Sequence, residues 1–172
     1  MISAYLHWEP KIEASAFIAA SAEVIGRVQI GADASIWHQC VLRGDVHDIR
    51  IGARSNIQEH SVLHTSHNVT PCIVGNDVTV GHRVILHGCE IEDGCLVGMG
   101  SILMDRSRLE SGCFLAAGSL VPEGKVLRGG YLYAGAPARE RRELNADEAA
   151  FLQVSAKHYV TLSKTYITKP TS

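Results

Sequence analysis

Ile91-Glu-Asp-Gly-Cys-Leu-Val97-Gly-Met-Gly-Ser-Ile-Leu103-Met-Asp-Arg-Ser-Arg-Leu109 returns an aliphatic side chain every sixth residue, at Ile91, Val97, Leu103 and Leu109. Four positions after each stands a small one: Cys95, Ser101, Ser107 and Cys113. Followed outward, the pattern takes in Ile12, Ile18, Val24, Ile30, Ile36 and Leu42, then Ile51, Ile57, Val62, Val74, Val80 and Ile85, and ends with Leu115 and Val121. The small companions run from Ala16, Ala22, Val28, Ala34, Cys40, Val46, Ser55, Ser61 and Ser66 through Val78, Val84 and Cys89 to Ser119, and only Lys125 breaks the rule. A period of six matches neither a helix nor a long alternating strand. It fits short strands joined by turns, three hexads to a triangular coil, and repetition over most of the chain marks a solenoid. The expected fold is an all-β solenoid, a stacked parallel coil with the aliphatic and small residues inside. Gly31, Gly52, Gly75, Gly81 and Gly98, with Asp33, Asn56, Asn76, Asp77 and Asp93 nearby, are expected to make the tight turns and take positive φ.

Past Val121 the repeat stops, and Tyr133-Ala-Gly-Ala-Pro-Ala-Arg139 leads the chain away. Asn145, with Glu148 three residues on, forms a capping-box signal. Leu152, Ala156, Tyr159, Leu162, Ser163 and Tyr166 then recur at helical spacing. The sequence thus predicts a coil over 1–132, a connecting segment over 133–144, a C-terminal α-helix over 145–168 that lies along the coil, its own or a neighbour's, and a tail of 169–172.

The chain has 172 residues, 46% hydrophobic and 20% charged, with a formal net charge of -2. That bounds it to one globular domain with an appendage and lacks the basic excess that a phosphate backbone demands, so no nucleic acid is expected. No apolar run is long enough to span a bilayer, and Met1 to Pro10 does not read as a secretory leader. A cytoplasmic protein with no membrane partner is expected. The five cysteines form no C-x-x-C pair. Cys40, Cys89, Cys95 and Cys113 fall on the small inward position, whereas Cys72 reads as an off-register loop residue, and no disulfide is expected.

The register fails between Leu42 and Ile51, Ile57 and Val62, Val62 and Val74, and Val80 and Ile85. A regular scaffold broken locally is where function is sought. His64, His82 and His87 each stand two residues after an aliphatic of the repeat, Val62, Val80 and Ile85, and so are expected to leave the coil interior in the same way. Three neutral imidazoles leave a fourth metal position open, the arrangement of a catalytic zinc. His7, His38, His47, His60, His67 and His158 lack that offset.

Arg43-Gly-Asp45, Ile51-Gly52, Asn56-Ile-Gln58, His64, Val78-Thr-Val-Gly-His82, Leu86-His87-Gly-Cys89 and Val97-Gly-Met-Gly100 together resemble the γ-class carbonic anhydrase family of hexapeptide-repeat proteins. The resemblance covers nearly the whole chain. It implies a left-handed parallel β-helix, a homotrimer and three interfacial metal sites, with His64 and His87 from one subunit and His82 from its neighbour. It implies Zn2+, with Fe2+ or Co2+ as alternatives, and reversible hydration of carbon dioxide to bicarbonate by metal-bound hydroxide. Gln58 would orient that hydroxide and Asn56 would support the pocket. Arg43 and Asp45 would form an interfacial pair, near substrate or as a structural salt bridge. Tyr159 resembles a helix tyrosine that approaches the site in relatives, the other reading being helix packing.

Two departures stand out. Glu59 occupies a position where the family has Asp, and its extra methylene is expected still to reach Arg43. The loop from His64 to Cys72 holds no acidic residue where founding members carry a proton-relaying glutamate, and His67 is the residue there that could carry protons instead. Competing readings are a hexapeptide-repeat acyltransferase with one histidine as general base, a non-catalytic metal-stapled trimer serving as an assembly subunit, and hydrolysis of a small ester or thioester at the same metal.

Overall fold

In the computed structural model, which describes residues 1–167, the chain winds into a left-handed parallel β-helix of about seven turns followed by one α-helix. Position 168 and the expected tail of 169–172 lie outside the described residues. Three ladders of short parallel strands make the three faces of the coil. The first face stacks Val24, Leu42, Leu63, Leu86, Leu103 and Val121 on consecutive rungs. The second stacks Ile12, Ile30, Ile51, Val74, Ile91, Leu109 and Leu127. On the third, Ile18, Ile36, Ile57, Val80, Val97, Leu115 and Tyr133 follow one another. Nearly all of these side chains are buried, so each coil gains about 1.5–3 kcal/mol from each of three large apolar residues.

The inward phase differs from the sequence reading on the first face. Val62 and Ile85 are 38% and 41% exposed, whereas Leu63 and Leu86 are fully buried. Counted from Ile57 and Val80, the next inward position is six residues on, and strand alternation turns the preceding residue outward. The true irregularities are the stretch from Leu63 to Val74, the short step from Leu86 to Ile91, and the long strand Val41–Ile51, which turns a corner and pairs on two faces. Alternation from Leu63 also makes Thr65, not Ser66, the buried small residue. Cys72 is corrected too. It opens the strand Cys72–Val74 and is fully buried.

The glycine column is a matter of space. A Cβ on Gly52 would stand 2.4 Å from the Gly75 carbonyl on the next coil. Left-handed backbone falls two residues later, at Asp33, Arg54 and Asp77. Asn56 makes no turn at all, lying buried in the strand Asn56–Ile57.

Residues 133–144 are not a plain connection. Tyr131–Ala134 completes the third face, and Arg139–Glu143 returns antiparallel against it. The helix Ala146–Ile167 starts at a reciprocal cap, in which Glu148 N–H donates to Asn145 Oδ1 at 2.8 Å and Asn145 N–H to Glu148 Oε2 at 3.1 Å. It lies on the third face of its own coil, burying Leu152, Ser155, Ala156 and Ser163. Tyr159 and Tyr166 meet the buried Trp37 edge-on at 5.5 and 5.2 Å. Among the described residues no helix is long and apolar enough to cross a membrane.

Candidate metal centre

His64 and His87 are partners on adjacent rungs at the end of the first face, the last residues of the strands Val62–His64 and Ile85–His87. Their inward neighbours Leu63 and Leu86 fix the strands, so alternation turns both imidazoles outward on the same edge. His64 Nδ1 and His87 Nε2 stand 3.2 Å apart. The outer nitrogens are occupied: His64 Nε2 meets Asp45 Oδ1 at 3.1 Å and His87 Nδ1 meets Asp105 Oδ1 at 2.9 Å. An ionised carboxylate only accepts, so each outer nitrogen carries a proton, and in the neutral form that a ligand needs each inner one presents its lone pair. In that form the two lone pairs converge on one point. Two nitrogens of a tetrahedral zinc, each about 2.0–2.1 Å from it, stand about 3.3 Å apart. The donor set therefore fits a divalent metal.

Burial pushes the His64 pKa down, outweighing the hydrogen bond to Asp45, and so favours the neutral form that a ligand needs. Burial also works against the charge on Asp45, but the hydrogen bonds from Arg43 and His64 hold its carboxyl below the ordinary value. Arg43 Nη1 donates to Asp45 Oδ2 at 2.5 Å along the same strand. Asp105 behaves alike, with Ser66 and His87 overcoming the effect of burial.

His82 lies elsewhere. It stands at the corner between the third and first faces, just past the buried Val80, and its Nδ1 meets Glu59 Oε2 at 2.7 Å. Only His82 has the offset predicted for all three histidines; His64 and His87 follow their inward residue by one position. Within the chain Glu59 pairs with His82, and Arg43 with Asp45. One chain thus places the His64–His87 pair and His82 on opposite edges of its first face, and among the described residues no cluster of three candidate ligands forms. Between the edges runs an outward apolar column of Val41, Val62, Ile85, Ile102 and Leu120.

Gln58 and Asn56 are buried beside the His82 corner, under the helix. Gln58 Nε2 donates to Asn56 Oδ1 at 3.0 Å, Asn56 Nδ2 donates to Thr79 Oγ1 at 3.0 Å, and Thr79 Oγ1 meets Ser155 Oγ at 2.9 Å. The chain of donors fixes both amides and leaves Gln58 Oε1 as an acceptor. Tyr159 packs on Trp37, and burial, reinforced by the charge of Glu59, raises its pKa. His67 is exposed in the loop after His64.

Sequence reasoning missed Asp105, Ser66, Thr79 and Ser155. Asp105 had only a partial signal, since the short step from Leu86 to Ile91 makes this coil 17 residues long, which stacks Met104 on His87 and leaves Asp105 one position beyond it. Ser155 had none, because helix docking on the third face decides its neighbour.

No family model matches the sequence. Among curated proteins it is 48% identical over 164 residues to Protein YrdA of Escherichia coli, covering 92% of this chain and 89% of that protein. It is 45% identical over 166 residues to a carbonic anhydrase of Geobacillus kaustophilus, covering 96% and 91%. To the mitochondrial gamma carbonic anhydrase 1 of Arabidopsis thaliana it is 42% identical over 162 residues, covering 91% of this chain and 59% of that one. Two solved structures superpose closely. A hexapeptide transferase family protein from Anaplasma phagocytophilum matches with a TM-score of 0.93 and 45% identity over 96% of this chain and 97% of that one. The other, a putative acetyltransferase of Bacillus cereus, gives 0.94 and 42% over 96% and 95%.

Proposed function

Because this chain belongs to the γ-class carbonic anhydrase-like family of hexapeptide-repeat proteins, we propose that it hydrates carbon dioxide reversibly to bicarbonate at metal sites shared between the chains of a homotrimer. One observation carries the reading. Among the described residues, the histidine–carboxylate contacts within salt-bridge distance are His64–Asp45, His82–Glu59 and His87–Asp105, the three expected ligands and no other histidine. A carboxylate behind each imidazole is the usual support of a metal ligand.

His64 and His87 would come from one chain and His82 from the next. Half-sites on opposite edges of one face require a head-to-tail contact, which closes into a ring when the rotation allows. The apolar column of Val62 and Ile85 gives that contact a dry centre. A bound divalent metal supplies Lewis acidity, bringing the pKa of water from about 15.7 toward about 7. Zn2+ suits three imidazoles, with Fe2+ or Co2+ as alternatives. Gln58 Oε1 then orients the reacting water or the bicarbonate hydroxyl by accepting its proton in a hydrogen bond, and Asn56, Thr79 and Ser155 keep that amide from turning. Arg43 holds Asp45 on His64 and, half exposed, keeps further N–H groups for an anion at the interface. Each hydration releases a proton, which this chain must pass outward with no loop glutamate to carry it.

Metal analysis of anaerobically purified protein, followed by a carbon dioxide hydration assay before and after chelation, tests the reading. Stoichiometric metal and chelator-sensitive hydration are expected; metal-free protein, or metal-loaded protein without hydration, would remove it.

A second reading has one observation in its favour, the description of the Bacillus cereus relative as a putative acetyltransferase. Chelator-insensitive release of free coenzyme A from acetyl-coenzyme A in the presence of an amine acceptor would establish it instead.

A further inference from the structure

Resting on that metal reading, we infer that Asp105, braced by Ser66, is a positioning residue that sets which ring nitrogen of His87 faces the metal. Asp105 does not reach the inner nitrogens where the metal would sit. It acts through the far side of the ring, where its Oδ1 is 2.9 Å from His87 Nδ1. The carboxylate can only accept there, so the proton stays on Nδ1 and the lone pair stays on Nε2.

Three further features are built around that carboxylate. Ser66 Oγ donates to Asp105 Oδ2 at 2.7 Å, so both oxygens are engaged and the group cannot rotate off the imidazole. Gly88 leaves the space the carboxylate fills: a Cβ there would stand 2.2 Å from Asp105 Oδ1 and 2.7 Å from Thr70 Oγ1, on a backbone already at φ +53°. Thr70 Oγ1 in turn donates to the Gly88 carbonyl at 2.6 Å. The excursion between Leu63 and Val74, the longest break in the register, is therefore tied at Ser66 and at Thr70 to the support of one histidine. That gives the break a purpose the repeat alone does not reveal. Without it Asp105 would keep one partner and could swing away, and His87 could present Nδ1 in place of Nε2.

The test uses the intact oligomer. Zn2+ affinity is measured by competition with a chromophoric chelator, the visible spectrum of the Co2+-loaded protein is recorded, and metal-free melting is followed in parallel. Asp105→Ala is expected to weaken Zn2+ binding by about 10- to 100-fold and to change the Co2+ spectrum, with little change in metal-free melting. Asp105→Asn, whose Oδ1 still accepts from His87 Nδ1–H, should recover most of the affinity, and Ser66→Ala should lose less than Asp105→Ala. If wild-type protein binds metal and Asp105→Ala binds it equally well, or if only the metal-free melting falls, the inference is overturned while the metal reading stands. Wild-type protein that binds no metal overturns both.

Discussion

His82 and Glu59 meet at 2.7 Å on the edge of the first face opposite to the one that carries His64 and His87. That separation has a direct consequence for mixed oligomers. His82→Ala and His64→Ala should each lose metal, His82→Ala as completely as the others despite standing away from the pair. Unfolding and refolding the two variants together should restore metal, because the intact His82 of one chain then faces the intact pair of the next. Metal content of the mixture that stays at the level of the separate variants would rule out a site shared between neighbouring chains.

The stacking of Leu63 on Leu86 sets a second expectation. Leu86→Ala should cost about 2–5 kcal/mol in a denaturant titration, as a core truncation does. Ile85→Asp should leave the coil folded and dissociate the oligomer, read by sedimentation, since a charge would be buried in the apolar column between half-sites. The opposite pair of results would restore the register predicted from sequence.

That register shows what the sequence disclosed and where it stopped. Period, parallel stacking and the helix cap at Asn145 and Glu148 follow from residue types at fixed spacing. At Val62-Leu63 and Ile85-Leu86 two adjacent aliphatics both satisfy the pattern, and only the ladder on the neighbouring rungs decides which points inward. The common offset expected of the three histidines holds for His82 alone. Their carboxylates are half legible: Asp45 comes with the family motif, while spacing ties neither Glu59 nor Asp105 to a histidine. Contacts made by coiling or by helix docking depend on where the breaks close, which the spacing does not state.

Gln58 is expected to separate chemistry from metal binding. Its amide is aimed by Asn56 and Thr79 but makes no contact with the three histidines. Gln58→Ala should keep metal content near wild type while hydration falls about tenfold or more, equivalent to about 1.4 kcal/mol of barrier. Thr79→Val should produce a smaller loss by freeing Asn56 to turn. An unchanged rate for Gln58→Ala would take this residue out of the mechanism.

The helix cap carries a pH signature. Hydrogen bonds from Arg142, with the Asn145 amide behind them, pull the Glu148 pKa from 4.5 to about 2. A depressed carboxyl stabilises the fold above its unfolded value and loses that contribution as pH falls through the folded value. Glu148→Gln should therefore melt below wild type at neutral pH, with the gap closing between about pH 4.5 and about 2. A gap that stays constant across this window would mean that the cap does not depend on the ionised carboxylate.

Proton export is expected to limit turnover. Tyr159 near the His82 corner has a raised pKa and remains a phenol at neutral pH, so it cannot serve there as an ionised base. His67, exposed in the loop, is the titratable group that the loop offers in place of a carboxylate. A poor internal relay leaves buffer to accept the proton, and that affects regeneration of the site rather than attack on substrate. Hydration at saturating carbon dioxide should rise with the concentration of an imidazole-type buffer, while the second-order rate at low substrate should barely respond. Asn68 has a φ of +51°, where a glutamate would be strained, so an engineered carboxylate belongs one residue earlier. His67→Glu should reduce the buffer dependence, and His67→Ala should steepen it. Turnover that ignores buffer in the wild type and in His67→Ala alike would show that another path already carries the proton to solvent.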